Sequence, residues 1–329
     1  MLGVWAGYTL SGTVVPQGQL QPYVQDALDE LQYATGSVDT PWGAQRARDG
    51  HPKPFKVGFV EVGNEDFFDR SGSYDAYRYP MFYDAIKAAY PQIQVVATTP
   101  VTSRAMDVLD NHYYNTPQWF VDNDHLFDTV PRGGTKILAG EFAALQGTPT
   151  GTLGAAVGEA AFITGMERNA DVVLGASYAP VLVNVNAPTW PTNLIGYDAL
   201  RSFRSPSYLV ERLLSGEHGD VVVGSQFLGP NRELASIVSR DSRTGALFVT
   251  VVNPADTLQI LHLMVAGAGN GPRSAEATVI AGDPTAQNTL ADPNRVAPVT
   301  TELGSQGSAF TYQFPAHSVA VLRLSGRRD

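Results

Sequence analysis

Apolar runs alternate with amphipathic segments through the first two-thirds of the chain. Helical spacing of the apolar residues predicts a helix over residues 21–36, which ends at Gly36. The same spacing predicts further helices over residues 80–90, 153–169 and 206–214. Short β-type runs around these helices predict six strands, near residues 3–8, 57–64, 93–98, 107–112, 136–140 and 171–177. Strands that alternate with helices in this way are typical of βα units, which form a parallel sheet or a barrel.

The number of predicted strands limits the kind of barrel that this sequence can form. A closed βα barrel needs eight strands, whereas the pattern supplies six, and the first of them begins almost at Met1. The sequence therefore predicts either an open sheet or a (β/α)8 TIM barrel without its first strands.

The pattern changes after about Gly216. Strand-type runs then follow one another, separated by Gly, Pro, Asn and Asp, over residues 221–223, 234–238, 246–252, 258–265, 277–280 and 318–324. Residues 241–245, Asp-Ser-Arg-Thr-Gly, predict a hairpin turn between two of these strands. We therefore expect a βα barrel domain over residues 1–216 and an all-β sandwich over residues 217–329, which packs against the barrel.

Charge and composition exclude several classes of protein. Lys and Arg number 22 and Asp and Glu number 32, so the formal net charge is −10, which argues against binding to nucleic acid or to an anionic membrane. The chain has no cysteine, which excludes disulfides, thiolate metal sites and cysteine nucleophiles. The longest uncharged run, from Val172 to Tyr197, is interrupted by prolines and does not predict a membrane span.

Two predicted strands end in a carboxylate that could carry chemistry. Glu65 follows the run of residues 59–63, and Glu141 follows the run of residues 137–140. The carboxyl ends of barrel strands open into one mouth, so we expect the two acids to face each other across a bound molecule. Glycoside hydrolysis requires such a pair, because one carboxyl protonates the leaving oxygen while the other attacks the anomeric carbon or activates water.

An acid at a strand end can also be a helix N-cap or a loop charge, and for a single glutamate both interpretations are open. Asn64 directly before Glu65 favours the active-site interpretation, because its amide could hydrogen-bond a sugar hydroxyl. Motifs of zinc peptidases, phosphate-binding loops, serine hydrolases and dinucleotide cofactors are absent from the sequence. We therefore expect neither a cofactor nor a metal ion.

The segments around both acids resemble motifs of glycoside hydrolase family 51, the α-L-arabinofuranosidases. Residues 61–66, Glu-Val-Gly-Asn-Glu-Asp, resemble the acid/base motif, and residues 140–143, Gly-Glu-Phe-Ala, resemble the nucleophile segment of the fungal-type branch. The resemblance covers almost the whole chain. Other matching segments are residues 5–8, 42–47, 50–52, 111–114, 177–180, 193–195, 207–208 and 314–318, together with Trp190.

The resemblance implies a fold and a mechanism. The six predicted strands would be the third to the eighth strands of a (β/α)8 barrel, with Glu65 at the end of the fourth and Glu141 at the end of the seventh. The implied activity is that of a retaining enzyme, which releases terminal non-reducing α-L-arabinofuranosyl residues from arabinose-containing oligo- or polysaccharides. Glu141 would be the nucleophile, Glu65 the general acid/base, and Asn64 a ligand of the sugar 2-hydroxyl.

Several further residues are expected at the substrate site. They are His112, Tyr114, Tyr178, Trp190 and Asn193. His112 could hydrogen-bond the nucleophile or the sugar, and Tyr178 could steady Glu141 through its hydroxyl or belong to the core. Trp190 could stack on the sugar or anchor its own loop.

Members of the family carry a region before the point where this sequence begins, and that region includes the first two barrel strands. We therefore expect this chain to be a fragment of a longer hydrolase, with weak or no activity by itself and with exposed barrel edges that could mediate oligomerisation. Two alternatives stay open. One is an endo-glucanase or xylosidase built on the same carboxylate pair, and the other is a non-catalytic remnant that binds sugar or has a structural role only.

Overall fold

The computed structural model describes residues 1–228, 234–266 and 273–325, which include six α-helices. The helices are α1 (Gln21–Thr35), α2 (Pro41–Arg48), α3 (Tyr79–Ala89), α4 (Pro117–Asp122), α5 (Leu153–Arg168) and α6 (Pro206–Gly216). Two 3-10 turns lie at Gln17–Gln19 and Asp66–Phe68, and a π-helical turn at Tyr74–Arg78 leads directly into α3. The four predicted helices are confirmed as α1, α3, α5 and α6, whereas α2 and α4 were not predicted.

Seventeen β-strands lie in the same described residues. They are β1 (Leu2–Val4), β2 (Phe59–Val62), β3 (Gln94–Ala97), β4 (Val108–Asn115), β5 (Lys136–Ala144), β6 (Val173–Tyr178), β7 (Leu182–Asn184), β8 (Ile195–Tyr197), β9 (Ser202–Arg204), β10 (Val221–Val223), β11 (Ala235–Arg240), β12 (Leu247–Asn253), β13 (Gln259–Met264), β14 (Arg273–Ala281), β15 (Val299–Gln306), β16 (Ala309–Phe314) and β17 (Ser318–Ser325). Every predicted strand is present. Strands β7, β8, β9, β15 and β16 were not predicted.

The first six strands form one sheet in the order in which they occur in the chain, from β1 to β6. Strand β1 pairs in parallel with β2, β2 with β3, and β3 with β4. Parallel strands in chain order are the arrangement of consecutive βα units. The predicted fold, a βα barrel with six of its eight strands, is therefore confirmed.

The chain divides into two compact units. The first comprises Met1–His112 with Pro131–Gly140, and the second comprises Tyr113–Val130 with Glu141–Asp329. The predicted domain boundary after residue 216 stays a prediction.

The core of the first unit lies between its strands and two of its helices. Val60, Val62 and Val95 of β2 and β3 are fully buried in one cluster with the apolar faces of α1 and α3. On α1 the buried residues are spaced by three and four positions, as the helical pattern requires. The amphipathic spacing therefore decides which face of each helix covers the sheet.

The second unit contains the predicted β-rich region. Its main sheet has six strands in the order β10-β11-β12-β17-β14-β15, and β13 pairs with β16 in a separate two-stranded sheet. All seven residues of β12 are buried. Val252 packs in a cluster with residues of α5 and α6, whereas Val249 packs in a cluster with Phe314 of β16. Because both faces of β12 are covered, five of its seven residues are apolar, and the polar ones, Thr250 and Asn253, are buried as well.

The predicted turn at residues 241–245 connects β11 and β12, which pair antiparallel. The Asp241 carboxylate accepts hydrogen bonds from the N–H groups of Arg243 and Thr244, and Gly245 has a φ of 71°. The turn therefore uses an aspartate and a glycine as predicted.

Across the described ranges, no helix combines the length and the apolar character needed to cross a bilayer.

Candidate active site

Glu65 lies in an unusual backbone conformation just after β2. Its φ and ψ are 51° and 36°, in the left-handed region that non-glycine residues rarely adopt. Gly63 precedes it with a φ of 98°, and a Cβ atom at this glycine would collide with the Asp66 carboxylate. The side chain of Glu65 is 21% exposed, so solvent or a ligand can reach its carboxyl group.

His112 connects Glu65 to a buried aspartate. Its Nδ1 lies 3.0 Å from Glu65 Oε1, and its Nε2 lies 2.9 Å from Asp110 Oδ2. Asp110 and His112 are two residues apart on β4, so their side chains project from the same face of the strand. Each ring nitrogen of His112 therefore contacts one carboxylate.

Asp110 is held as a carboxylate by several donors. The N–H of Gly140 donates to Asp110 Oδ1 at 2.7 Å. Burial opposes its ionisation, but hydrogen bonds from the side chains of His112 and Glu61 and from the Gly140 N–H keep the pKa of Asp110 below its usual value. An ionised Asp110 can accept a hydrogen bond from Nε2–H of His112, and Nδ1 then faces the carboxyl group of Glu65.

Glu141 lies on β5 in the second unit and is held by a tyrosine. The Tyr114 hydroxyl donates to Glu141 Oε2 at 2.5 Å, a length typical of a phenol bonded to an ionised carboxylate. The ring of Tyr114 also contacts the ring of Trp190 edge to face, with centroids 6.1 Å apart. Trp190 is 46% exposed, so one side of its indole remains available to a ligand.

The end of β5 is anchored by a buried acid on α5. Glu159 is fully buried, and its Oε1 accepts the N–H of Ala144 at 2.8 Å. Burial raises the pKa of Glu159 to about 8, although the Ser207 hydroxyl and the Ala144 N–H offset part of this effect. Burial likewise raises the pKa of Glu211 to about 7. Both carboxyl groups lie outside the segments around Glu65 and Glu141, and burial shifts each of them toward the neutral form.

Tyr178 packs in the core of the second unit. Its ring packs edge to face on Phe142, with centroids 5.8 Å apart, and only 5% of the residue is exposed. Its hydroxyl makes no hydrogen bond to Glu141, and Tyr114 occupies that role. Tyr178 thus lies in the core beside Phe142, and its expected role at the substrate site stays a prediction. Both tyrosines follow polar residues near a strand end, and the sequence does not distinguish them.

Asn193 is buried behind the segment that carries Trp190. Its amide nitrogen donates to the carbonyl oxygens of Pro149, at 2.7 Å, and of Trp190, at 2.9 Å. Both amide hydrogens are therefore used by the backbone. This geometry makes Asn193 a residue that positions Trp190.

Sequence reasoning missed three supporting residues. They are Asp110, Glu159 and Arg78, the last of which is a buried arginine bonded to Asp66. Strand alternation could have found Asp110, because it stands two positions before His112. A glutamate placed between small residues in the middle of α5 was a signal for Glu159. No pattern of residue spacing in the sequence links Arg78 to Glu65.

Comparisons with known proteins cover nearly all of the chain. A family model described as "Alpha-L-arabinofuranosidase 1 domain" matches residues 1–132, and one described as "Alpha-L-arabinofuranosidase C-terminal domain" matches residues 140–318. Alpha-L-arabinofuranosidase A of Aspergillus kawachii is 34% identical over 98% of this chain and 52% of its own length. Alpha-L-arabinofuranosidase 2 of Arabidopsis thaliana is 30% identical over 93% of this chain and 46% of its own. The chain thus spans about half the length of these relatives.

Solved structures lead to the same family. An arabinose-bound α-L-arabinofuranosidase of glycoside hydrolase family 51 is 37% identical, has a TM-score of 0.93, and aligns over 99% of this chain and 54% of its own. An α-L-arabinofuranosidase from Thermotoga maritima, 18% identical with a TM-score of 0.78 over 92% of this chain and 73% of its own, shares the fold. The second family model alone covers more than half of the sequence. The chain therefore belongs to the α-L-arabinofuranosidases of glycoside hydrolase family 51.

Proposed function

We propose that this chain carries the catalytic residues of a retaining glycoside hydrolase that releases terminal non-reducing α-L-arabinofuranosyl residues from arabinose-containing oligo- or polysaccharides. One observation carries the proposal: each motif carboxylate is hydrogen-bonded by a strand-end side chain of its own unit, Glu65 by His112 and Glu141 by Tyr114. Carboxylates that were only loop charges or helix caps would not need such partners. The arabinose bound to the solved relative supports the choice of sugar.

In the first step, the Glu141 carboxylate attacks C1 of the arabinofuranosyl unit. The C1–O bond breaks with its electron pair on the leaving oxygen, which takes the proton of Glu65. In the second step, Glu65 removes a proton from water, and the water oxygen bonds to C1 as the ester bond to Glu141 breaks. Two inversions at C1 give net retention.

The surroundings of each acid support its role. Tyr114 donates a hydrogen bond to Glu141 Oε2 and so fixes the position of the carboxylate that attacks. Glu65 must be protonated in one step and ionised in the next. The His112 Nδ1 can accept a hydrogen bond from the protonated form or donate one to the ionised form, while Asp110 holds Nε2.

The sugar contacts follow from what each side chain leaves exposed. We assign Asn64 to the 2-hydroxyl, because its amide directly precedes Glu65. We assign Trp190 to stacking on the sugar ring, since its exposed face suits C–H surfaces. We assign Tyr178 and Asn193 supporting roles in the core and behind Trp190. Oligomerisation through exposed sheet edges stays a prediction.

Aryl arabinofuranosides with added azide test both roles. We expect Glu141→Ala to abolish turnover of 4-nitrophenyl α-L-arabinofuranoside and azide to restore it with the inverted β-arabinofuranosyl azide as product, because azide occupies the place of the nucleophile. We expect Glu65→Ala to retain cleavage of an activated aryl glycoside, because such a leaving group needs no proton, and to yield the retained α-azide.

The matched control is Glu302→Ala, which removes an exposed glutamate on β15 and should leave turnover unchanged. Normal turnover of the 4-nitrophenyl glycoside by Glu141→Ala, normal turnover of the phenyl glycoside by Glu65→Ala, or azide products of the opposite configuration would contradict the role assignment. Faster turnover of aryl glucosides or xylosides than of the arabinofuranoside would favour the other glycosidase activities. Sugar binding without hydrolysis by the unmodified chain would favour a non-catalytic role.

A further inference from the structure

The loop that presents Glu65 needs support from its neighbours. Its left-handed backbone is disfavoured for a residue with a side chain, so the conformation persists only where surrounding contacts impose it. Outside glycine, the described residues with a positive φ are Glu65 and His317 alone. What holds this turn therefore determines where the Glu65 carboxyl group points.

Asp66, the next residue, fixes the turn from one side. Its Oδ2 accepts the N–H of Asn64 at 3.1 Å and the hydroxyl of Thr98 at 2.8 Å. The first of these bonds closes the loop across Glu65, and the second ties the loop to the end of β3. The Asp66 side chain is buried, so these bonds are shielded from competing water.

Arg78 fixes the position of Asp66. Its guanidinium donates to Asp66 Oδ1 at 2.5 Å, to Asp69 Oδ2 at 2.9 Å and to the carbonyl oxygen of Ala6 at 3.0 Å. Its Nε donates to the Ser73 hydroxyl at 2.8 Å. A planar guanidinium can make these bonds together because its five N–H groups point in fixed directions.

Arg78 is positioned by the π-helical turn that contains it, and such turns are common at functional sites. None of its side-chain surface is exposed. It therefore has no route to a bound sugar, and any influence on the reaction must pass through the residues that it holds.

We propose that the buried Arg78–Asp66 ion pair, with Thr98, is the device that positions Glu65 for proton transfer to the leaving group. Arg78 is thus a positioning residue whose effect is specific to the acid step. The inference rests on the proposed function of Glu65. It predicts that loosening the pair reduces proton delivery more than sugar binding, because general acid catalysis depends on the geometry of the transferred proton.

Two variants of different severity test the proposal. Arg78→Lys keeps the charge but loses the fork of N–H groups, and Thr98→Val removes one hydroxyl with little change of shape. The control is Thr164→Val, which removes another fully buried threonine hydroxyl, bonded to Ala161 within α5. Should Arg78→Lys fail to fold, Thr98→Val still tests whether the bonds to Asp66 position Glu65.

The first measurement is kcat/KM for a series of aryl α-L-arabinofuranosides, from the 2,4-dinitrophenyl to the phenyl glycoside. We expect both loop variants to lose roughly 10- to 100-fold with the phenyl glycoside and little with the dinitrophenyl glycoside, a part of the full contribution of a general acid. Thr164→Val should parallel the unmodified chain. An equal loss for all leaving groups, or no loss, would overturn the proposal.

The second measurement does not require activity. The Asn64 N–H bonds to Asp66, so its hydrogen exchange should accelerate in both loop variants, whereas that of the Gly140 N–H, bonded to Asp110, should not change. Unchanged exchange at Asn64 would overturn the positioning role even if turnover is too slow to measure. Failure of the proposed function is seen separately, as phenyl glycoside turnover that survives Glu65→Ala.

Discussion

The groups that surround Glu65 and Glu141 differ in their charge. Behind Glu65, the Arg78 guanidinium forms ion pairs with Asp66 and Asp69, and His112 is hydrogen-bonded to Asp110. Around Glu141 the support is a phenol, Tyr114, and the nearby end of β5 is held by Glu159, whose raised pKa favours the neutral form.

The difference agrees with the roles that we propose for the two acids. A general acid/base changes its protonation state twice in each cycle, so it benefits from a partner that can exchange a proton and from a rigid loop. A nucleophile has to remain ionised and well placed, for which one short hydrogen bond suffices. Substitutions around Glu65 should therefore affect proton transfer to the leaving group, whereas substitutions around Glu141 should affect all substrates alike.

The largest effect in this comparison is expected from Asp110→Asn. The amide keeps the shape of the side chain, but it cannot reproduce the acceptor charge that holds His112 Nε2–H, so the histidine adopts the wrong tautomer toward Glu65. We expect kcat/KM for the phenyl glycoside to fall on the order of 100-fold, with a smaller loss for the dinitrophenyl glycoside. Steady-state kinetics across pH would show it, and an unchanged pH profile would contradict the role of Asp110.

A smaller effect is expected from Tyr114→Phe. The variant removes one hydrogen bond to Glu141 and keeps the ring contact with Trp190. We expect a loss of about 10-fold in kcat/KM, the value of one bond to a charged group, and the same loss for every leaving group. A loss confined to poor leaving groups would mean that Tyr114 serves the acid step, and the contrast between the two regions would fail.

The smallest effect is expected on stability, from Glu159→Gln. The pKa of Glu159 is about 8 in the folded chain against 4.5 for the free group, so the folded state binds the extra proton between these values. The unmodified chain should therefore lose stability as pH rises from about 4.5 to about 8. The glutamine variant should lose less, because its side chain cannot ionise.

The measurement is the Tm of both chains across this pH range, with the exposed Glu302→Gln as control. Glu211 and Glu167, whose pKa values burial raises to about 7, add to the slope in all three chains. Parallel curves for the unmodified chain and Glu159→Gln would show that Glu159 does not contribute.

Much of the fold could be predicted from the sequence, because the buried faces of α1 and β2 repeat with the periods of a helix and a strand. The candidate acids were also predictable, since Glu65 and Glu141 lie at the ends of apolar runs. The short strands β7 to β9 were not, because prolines and asparagines interrupt this part of the chain and favour a loop.

The contacts that hold the acids were harder to predict for a different reason. Arg78 reaches Asp66 through a π-helical turn, and no local pattern specifies where a long side chain will end. The choice between Tyr114 and Tyr178 as partner of Glu141 depends on strand positions in three dimensions. Sequence periodicity predicts which face of a helix or strand is buried, whereas the Arg78–Asp66 and Tyr114–Glu141 contacts depend on the direction of single side chains.

Gly63 has a consequence for how this protein can change over time. Any larger residue there would displace the Asp66 carboxylate and with it the backbone that carries Glu65. The exposed indole of Trp190, by contrast, borders solvent and can be replaced without such a collision. Substitutions around the tryptophan are therefore expected to accumulate more readily than any substitution of Gly63.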